Sequence, residues 1–184
     1  KNYQIKEEIE EENISTVYEH NFKWIKGQVM AKRAAEIAAA GMHNILLVGP
    51  PGTGKTAIAK AMKTILPEMS QNEKIEISKI QSIAGKLEGN LVGERPFRNP
   101  HHTTTVTAMT GGGINPKPGE MTMAHGGVLY IDEFTEFSRV VMEAMRQPLE
   151  DKKIVISRKG GTYSFPADFI LLASMNPCKC GYYP

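Results

Sequence analysis

The chain has 184 residues, of which 41% are hydrophobic and 23% charged, a balance typical of one globular domain. No apolar run approaches the roughly 20 residues of a membrane-spanning helix, and the acidic start KNYQIKEEIEEE is unlike a secretion signal, so we expect a cytoplasmic protein with no membrane partner. The net charge is +2, but without residues 1–12 the chain keeps 20 basic and 15 acidic residues, a charge of +5 that permits contact with nucleic acid without requiring it.

Strands and helices are predicted to alternate after an acidic lead or linker, residues 1–22, and to form one domain over residues 23–184. Four helices are predicted, at residues 29–40, 56–66, 70–83 and 139–149. The first ends at Gly41 and the second at Pro67. The third begins with a Ser70–Glu73 capping box and ends at Gly85, and Ser138 caps the fourth. The predicted strands, buried on both faces, are NILLVG at 44–49, GVLYID at 127–132 and DFILLASMN at 168–176.

Two further segments interrupt this alternation. Residues 86–127 are rich in Gly, Pro and Thr and are predicted to project as an insertion around a short helix. Residues 153–167 alternate on either side of Gly160 and Gly161, which is typical of a β-hairpin. The predicted fold is therefore a three-layer α/β/α sandwich with two additions.

A phosphate-binding loop is indicated by GPPGTGKT at residues 49–56, because a predicted buried strand precedes it and a helix follows it. Its glycines allow successive backbone N–H groups to face one anion at a helix N-terminus. Lys55 is expected to reach the β and γ phosphates of a nucleotide, and the Thr56 hydroxyl to bind Mg²⁺. The predicted nucleotide-binding residues are Gly49, Pro50, Pro51, Gly52, Thr53, Gly54, Lys55 and Thr56.

Polar residues at the ends of two other strands complete the predicted site. Asp132 follows a buried strand at the edge where open α/β sheets bind ligands, and it is expected to hold Mg²⁺. Glu133 is expected to activate the attacking water, and the neutral amide of Asn176 to orient it. A strand end that meets solvent and an Asn that starts a turn before Pro177 are the structural alternatives.

These motifs resemble the magnesium-chelatase-related AAA+ ATPases, in particular the ComM-like branch of that family. The similarity extends from Trp24 to the end of the chain, through IKGQVMAKRAAEIAAAGMHNILLVGPPGTGKT, RPFRNPHHT, PGEMTMAHGGVLYIDEFTEF and MNPCKCGYYP. It implies an AAA+ core with ATP and Mg²⁺ as cofactors, Walker A and B residues, Asn176 as sensor 1, a helix-2 insert at 97–127 and a hairpin before sensor 1. It also implies that Ile25, Gly27 and Gln28 border the adenine.

The resemblance further implies a hexameric ring of a longer protein, whose arginine finger and helical lid lie beyond this chain. DNA is the expected partner, contacted by Arg158 and Lys159 at the hairpin tip, although an exposed charged turn explains that pair equally well. Two other functions stay open: a metal-chelatase subunit that remodels a protein partner, and a switch module that binds ATP with little hydrolysis.

The two cysteines, Cys178 and Cys180, supply at most half of a four-ligand zinc site. Related sequences tend to carry a second pair shortly downstream, so the resemblance implies zinc in a longer protein, with two unligated thiols as the alternative. His101 and His102 have no carboxylate or cysteine partner nearby in sequence, and turn or packing roles are expected for them.

Overall fold

The computed structural model describes residues 21–113, 115–158 and 161–177 as an alternation of helices and strands. The α-helices are α1 (Val29–Gly41), α2 (Lys55–Ala61), α3 (Gln71–Ile83), α4 (Val106–Thr110), α5 (Glu120–Met123) and α6 (Arg139–Asp151). The strands are β1 (Ile45–Val48), β2 (Phe97–Arg98), β3 (Gly111–Gly112), β4 (Lys117–Pro118), β5 (Val128–Ile131), β6 (Lys153–Arg158), β7 (Gly161–Pro166) and β8 (Ile170–Met175). Within these ranges no helix is both long and apolar enough to cross a bilayer.

The central sheet has four parallel strands in the order β1-β8-β5-β2. β8 therefore lies between β1 and β5. Because the strands are parallel, their carboxyl ends meet at one edge of the sheet. The segments that follow β1, β5 and β8 are brought together at that edge.

Alternating residues along the strands pack on two separate helical layers. On one face Val128, Tyr130 and Leu172 pack with α1 and α2, whose alanines allow a close approach to the sheet. On the other face Leu129 and Ile131 pack with α4, α5, α6 and the β6–β7 hairpin. The predicted three-layer α/β/α architecture is confirmed.

Several predicted local signals are present in the structure. The Ser70 hydroxyl accepts a hydrogen bond from the Glu73 N–H and the Glu73 carboxylate accepts one from the Ser70 N–H, so the predicted capping box opens α3. Ser138 caps α6, and β6 pairs antiparallel with β7 as the predicted hairpin. The helix predicted at 56–66 is instead α2 followed by a 3₁₀ segment, Met62–Ile65, and α1 includes Gly41, with Met42 as its left-handed cap.

The prediction that residues 44–49 are buried on both faces was wrong. Leu46 is 52% and Val48 56% exposed, whereas Leu47 is buried against α1 and α2. β1 lies at the edge of the sheet, and the layer that contains α6 and the hairpin packs on β5 and β8 instead. One face of β1 therefore remains open in the part of the chain that the structure describes.

The segment predicted as a projecting insertion is partly built into the core. Phe97–Arg98 forms β2, which pairs with β5 in the main sheet, so the inserted part begins after this strand. Met109, Met121 and Ala124 are fully buried in the layer that contains α6. The strand was missed because two residues are too short a run to show a period of two.

Candidate active site

Residues 49–56 connect β1 to α2 in a loop that depends on glycine at two points. Gly52 and Gly54 have φ angles of 79° and 85°, which residues with a side chain rarely adopt. No other atom lies within 4 Å of the position that a Cβ would take at either residue, so the backbone conformation rather than crowding favours glycine. Gly54 precedes α2 without a side-chain cap, which leaves the first N–H groups of the helix for a ligand.

The Lys55 ammonium links this loop to the end of β8. Its Nζ donates to the Gly49 carbonyl at 2.6 Å, to the Pro50 carbonyl at 2.9 Å and to the Asn176 side-chain oxygen at 3.2 Å. The Thr53 hydroxyl also donates to the Pro50 carbonyl, at 2.9 Å. Residues that are 121 positions apart in sequence therefore meet around one cation.

Asp132 lies at the end of β5 with one oxygen directed to the phosphate-binding loop. The Thr56 hydroxyl donates to Asp132 Oδ2 over a long 3.4 Å, while the Glu133 N–H donates to Oδ1 at 3.1 Å and the Ser174 hydroxyl to the same oxygen. Burial raises the pKa of Asp132, but the hydrogen bonds from Ser174, Tyr130 and the Glu133 N–H outweigh it and hold the pKa below its ordinary value. A charged carboxylate next to a hydroxyl is a set of hard oxygen donors that suits Mg²⁺, which takes one or two carboxylates and keeps several waters.

Glu133 occupies a left-handed backbone conformation, with φ 51° and ψ 51°, which is uncommon for a residue other than glycine. Its side chain is exposed and forms no hydrogen bond or ion pair with any other described residue. The carboxylate borders a pocket of about 370 Å³. The pocket is lined by Pro51, Gly52, Thr53, Gly54, Lys55, Thr56, Asp132, Glu133, Ser174, Met175 and Asn176.

A second pocket, of about 390 Å³, adjoins the first through Gly52, Thr53 and Gly54. Ile25 and Gln28, predicted to border an adenine, line it, and the Gln28 amide donates to the Thr53 carbonyl at 2.9 Å. Gly27 is not part of its lining; with a φ of 67° it forms the turn that leads into α1. The prediction from sequence did not include Asn21, Trp24, Lys26, Ala57 and Ala61, which also line this pocket.

Two buried hydroxyl groups under the site were also missed. Tyr130 and Ser174 are 0% and 1% exposed, and their oxygens are 3.1 Å apart. Burial raises the pKa of Tyr130 to about 12, so its phenol stays protonated even in alkaline solution. The available signal was their spacing, since each precedes a predicted site residue by two positions and side chains alternate along a strand.

Of two larger pockets, one borders the site and the other lies away from it. One of about 520 Å³ is lined by His102, Glu136 and Pro177 and shares Glu133 and Asn176 with the first pocket. Another of about 530 Å³ lies between α3 and the hairpin and includes none of the predicted site residues. Among the described residues no group of three or more His, Cys, Asp or Glu could hold a metal ion.

The remaining predicted residues lie at the end of the hairpin or outside the described ranges. Arg158 is exposed at the end of β6, and its Nη2 lies 3.4 Å from the position that a Cβ at Gly112 would take, so the end of β6 meets the insert. Lys159, Cys178 and Cys180 lie outside the described residues, and the DNA and zinc predictions that involve them stay predictions.

A glycine-dependent loop between a parallel strand and a helix, facing polar residues at the ends of two neighbouring strands, defines a P-loop nucleotide-binding protein. The family model described as "Magnesium chelatase, subunit ChlI" matches residues 21–184. The chain belongs to this family of AAA+ ATPases.

Individual proteins agree with this assignment. The chain is 50% identical to competence protein ComM of Haemophilus influenzae over 160 residues, which are 86% of this chain and 31% of that protein. It is 44% identical to the uncharacterized protein YifB of Escherichia coli over 171 residues, 92% of this chain and 34% of that protein. The chain thus spans about a third of the length of these relatives.

A solved structure shows the same fold. The structure of a complex between the BchI and BchD subunits of magnesium chelatase matches with a TM-score of 0.69 and 25% identity, over 86% of this chain and 55% of the matched chain. The predicted AAA+ P-loop NTPase fold is thereby confirmed.

Proposed function

We propose that residues 23–184 are the nucleotide-binding core of a longer motor protein that binds ATP with Mg²⁺, hydrolyses it and acts on DNA. The observation that carries the proposal is the pocket of about 370 Å³. A loop lysine, a hydroxyl–carboxylate pair, a free carboxylate and an amide converge there from three neighbouring strand ends. Each of these groups has a distinct task in phosphoryl transfer.

Lys55 is the group we assign to the phosphates. In the structure its ammonium donates to two neutral carbonyls of the loop and to the Asn176 amide oxygen. A phosphate oxygen carries more negative charge than a carbonyl, so a nucleotide in the pocket would compete well for these donors. The N–H groups at the start of α2 would contribute to the same anion.

Thr56 and Asp132 are the residues we assign to Mg²⁺. Their oxygens lie 3.4 Å apart on the side of Asp132 that faces the loop. The bound cation would neutralise charge on the β and γ phosphates. The pKa of Asp132 is lower than usual, so its carboxylate stays ionised and able to bind a cation in acidic as well as neutral solution.

Glu133 and Asn176 are the residues we assign to the attacking water. The water oxygen bonds to the γ phosphorus, the bond from that phosphorus to the β–γ bridging oxygen breaks, and Glu133 accepts the proton of the water, which yields ADP and phosphate. The Glu133 carboxylate makes no hydrogen bond or ion pair with another described residue, so it is free to take this proton. The Asn176 amide can orient the water because it lies beside Lys55 at the same pocket.

Assembly and the DNA partner are inferred from the family resemblance. We propose that the longer protein forms a hexameric ring and that its arginine finger and lid lie outside this chain. The support for DNA is the 50% identity with competence protein ComM and the exposed Arg158 beside Gly112, where the end of β6 meets the insert. Zinc bound through Cys178 and Cys180 is a further proposal for the longer protein.

A second candidate is a motor that remodels a protein partner during metal insertion. The match with the magnesium-chelatase subunit BchI, in a complex with its partner subunit BchD, favours it. The same nucleotide site would serve both functions, so the candidates differ in what stimulates hydrolysis rather than in the chemistry.

The test is the ATPase rate of the full-length protein without DNA and with single-stranded, duplex and branched DNA at several salt concentrations. We expect Mg²⁺-dependent hydrolysis that at least one of these DNAs stimulates, and stimulation that falls as salt rises. The Lys55→Ala protein, purified in parallel, measures the rate of any contaminating ATPase. Hydrolysis that no DNA alters would favour the protein-partner candidate, and no hydrolysis under any condition would contradict the proposal.

A further inference from the structure

Two buried hydroxyls, those of Tyr130 and Ser174, lie under the phosphate-binding loop. Tyr130 belongs to β5 and Ser174 to β8, and these strands are hydrogen-bonded neighbours. Tyr130 is paired in register with Leu172, two residues before Ser174, so both hydroxyls lie on one face of the sheet. Asp132, two residues after Tyr130, lies on that face as well.

Each hydroxyl in this cluster has one hydrogen to donate. The Ser174 hydroxyl donates to Asp132 Oδ1 and the Thr56 hydroxyl to Asp132 Oδ2. Because a hydroxyl carries a single hydrogen, both groups can only accept from Tyr130. The Tyr130 oxygen lies 3.1 Å from Ser174 Oγ and 3.4 Å from Thr56 Oγ1, so the Tyr130 hydroxyl can donate its hydrogen to either of them or to the Asp132 carboxylate.

The two oxygens of Asp132 are therefore held in different ways. Oδ1 accepts from Ser174 and from the Glu133 N–H at 3.1 Å, and both donors belong to the sheet or its end. Oδ2 faces the loop, where it has a long contact of 3.4 Å with the Thr56 hydroxyl. The carboxylate is thus fixed through one oxygen, and the other oxygen is available for a cation on the side of the loop.

Such an arrangement is more than the core requires. The phenyl ring of Tyr130 packs among apolar side chains with α1 and α2, and a Phe would fill the same space. Burying its hydroxyl costs free energy unless the hydroxyl is hydrogen-bonded. The Tyr130 hydroxyl lies within hydrogen-bond distance of Thr56 and of Ser174, and Ser174 donates to Asp132. The buried Tyr130 and Ser174 hydroxyls are therefore better explained by their contacts with Thr56 and Asp132 than by packing of the core.

We propose that Tyr130 and Ser174 are positioning residues that hold Thr56 and Asp132 in the geometry that binds Mg²⁺ together with a nucleotide. The inference rests on the proposed function, since it assigns a task towards the Mg²⁺ of that function. Groups that orient a metal ligand from behind typically change metal affinity 10- to 100-fold when they are removed. Tyr130 and Ser174 would contact neither the cation nor the nucleotide.

The experiment measures binding of a fluorescent ATP analogue to the full-length protein, first in EDTA and then across a series of Mg²⁺ concentrations. Ser174→Ala should raise the Mg²⁺ concentration for half-maximal effect by about 10- to 100-fold. Tyr130→Phe removes one neutral hydrogen bond and should raise it by about 3- to 10-fold. Affinity in EDTA should equal that of the parental protein for both variants.

Matched controls separate positioning from general loss of a buried hydroxyl. Ser78, 5% exposed in α3, accepts from the Val92 N–H and donates to the Lys74 carbonyl, away from the nucleotide pocket. Ser78→Ala should leave the Mg²⁺ dependence within about twofold of the parental value even if it lowers the melting temperature. Tyr163→Phe, at an exposed position of β7, controls for the Tyr-to-Phe change itself and should also leave the Mg²⁺ dependence at the parental value.

The possible outcomes lead to different conclusions. A parental Mg²⁺ dependence in both Tyr130→Phe and Ser174→Ala would overturn the inference, and so would equal losses of affinity in EDTA and in Mg²⁺. If Ser174→Ala does not fold, Tyr130→Phe decides alone, because it keeps the shape of the ring. Failure of the parental protein to bind the analogue would instead contradict the proposed function.

Discussion

The Glu133→Gln substitution tests the chemistry of the site most directly. Gln has the shape of Glu, and the Glu133 side chain is exposed and makes no hydrogen bond or ion pair with another described residue. The change therefore removes a charge and a proton acceptor with no packing consequence, and stability should stay within about 0.5 kcal/mol of the parental value. The left-handed backbone at this position is retained, since neither side chain is branched at Cβ.

The expected loss is confined to hydrolysis. A general base contributes about 10²–10⁴-fold, which corresponds to about 3–5 kcal/mol of activation free energy. Because we assign the binding of ATP to Lys55, Thr56 and Asp132, the affinity for a fluorescent ATP analogue should be unchanged. The assay is steady-state phosphate release by the full-length protein at saturating ATP, together with a titration of the analogue.

Glu136→Gln is a control with the same chemical change. Glu136 is exposed and lies three residues further along, and it borders the pocket of about 520 Å³ but not the nucleotide pocket. We expect it to hydrolyse ATP at nearly the parental rate. A Glu133→Gln protein that also turns over at nearly the parental rate would refute the assignment of Glu133 as the base, and an equal loss in both variants would point to electrostatics of the whole surface.

The other predictions concern binding, the DNA partner and stability. Lys55→Ala should abolish binding of the ATP analogue, because the ammonium that we assign to the phosphates is lost; unchanged affinity would contradict the phosphate-loop assignment. Arg158→Glu with Lys159→Glu in the full-length protein should weaken DNA binding and flatten its dependence on salt, and identical binding curves at every salt concentration would exclude the hairpin tip. Arg98 donates to both oxygens of Glu120 at 2.6 and 2.8 Å, which joins the end of β2 to α5. Arg98→Ala should lower the free energy of unfolding by about 1.5–3 kcal/mol, measured by denaturant unfolding, and a parental midpoint would show that the pair is not stabilising.

Much of the site could be predicted from sequence because its signals involve residues that are close together in the chain. Glycines in the phosphate-binding loop, a capping box and an acidic pair after an apolar run each depend on backbone conformation and on near neighbours in sequence. Such constraints can be identified without knowledge of the tertiary fold. For that reason the loop, the capped α3 and the hairpin were predicted at nearly the positions where the structure has them.

Only the tertiary structure decided which strands are neighbours and what lies beneath the site. It put β8 between β1 and β5, which brings the Asn176 oxygen to 3.2 Å from Lys55, and within the described residues it left one face of β1 uncovered. It also joined Tyr130 to Ser174; their spacing of two positions from Asp132 and Asn176 could place each on the side of the site, but it could not show that the two hydroxyls meet. The order of the strands and the contacts between them depend on how the helical layers cover the sheet. That packing involves residues far apart in the chain, so a pattern among near neighbours in sequence does not predict it.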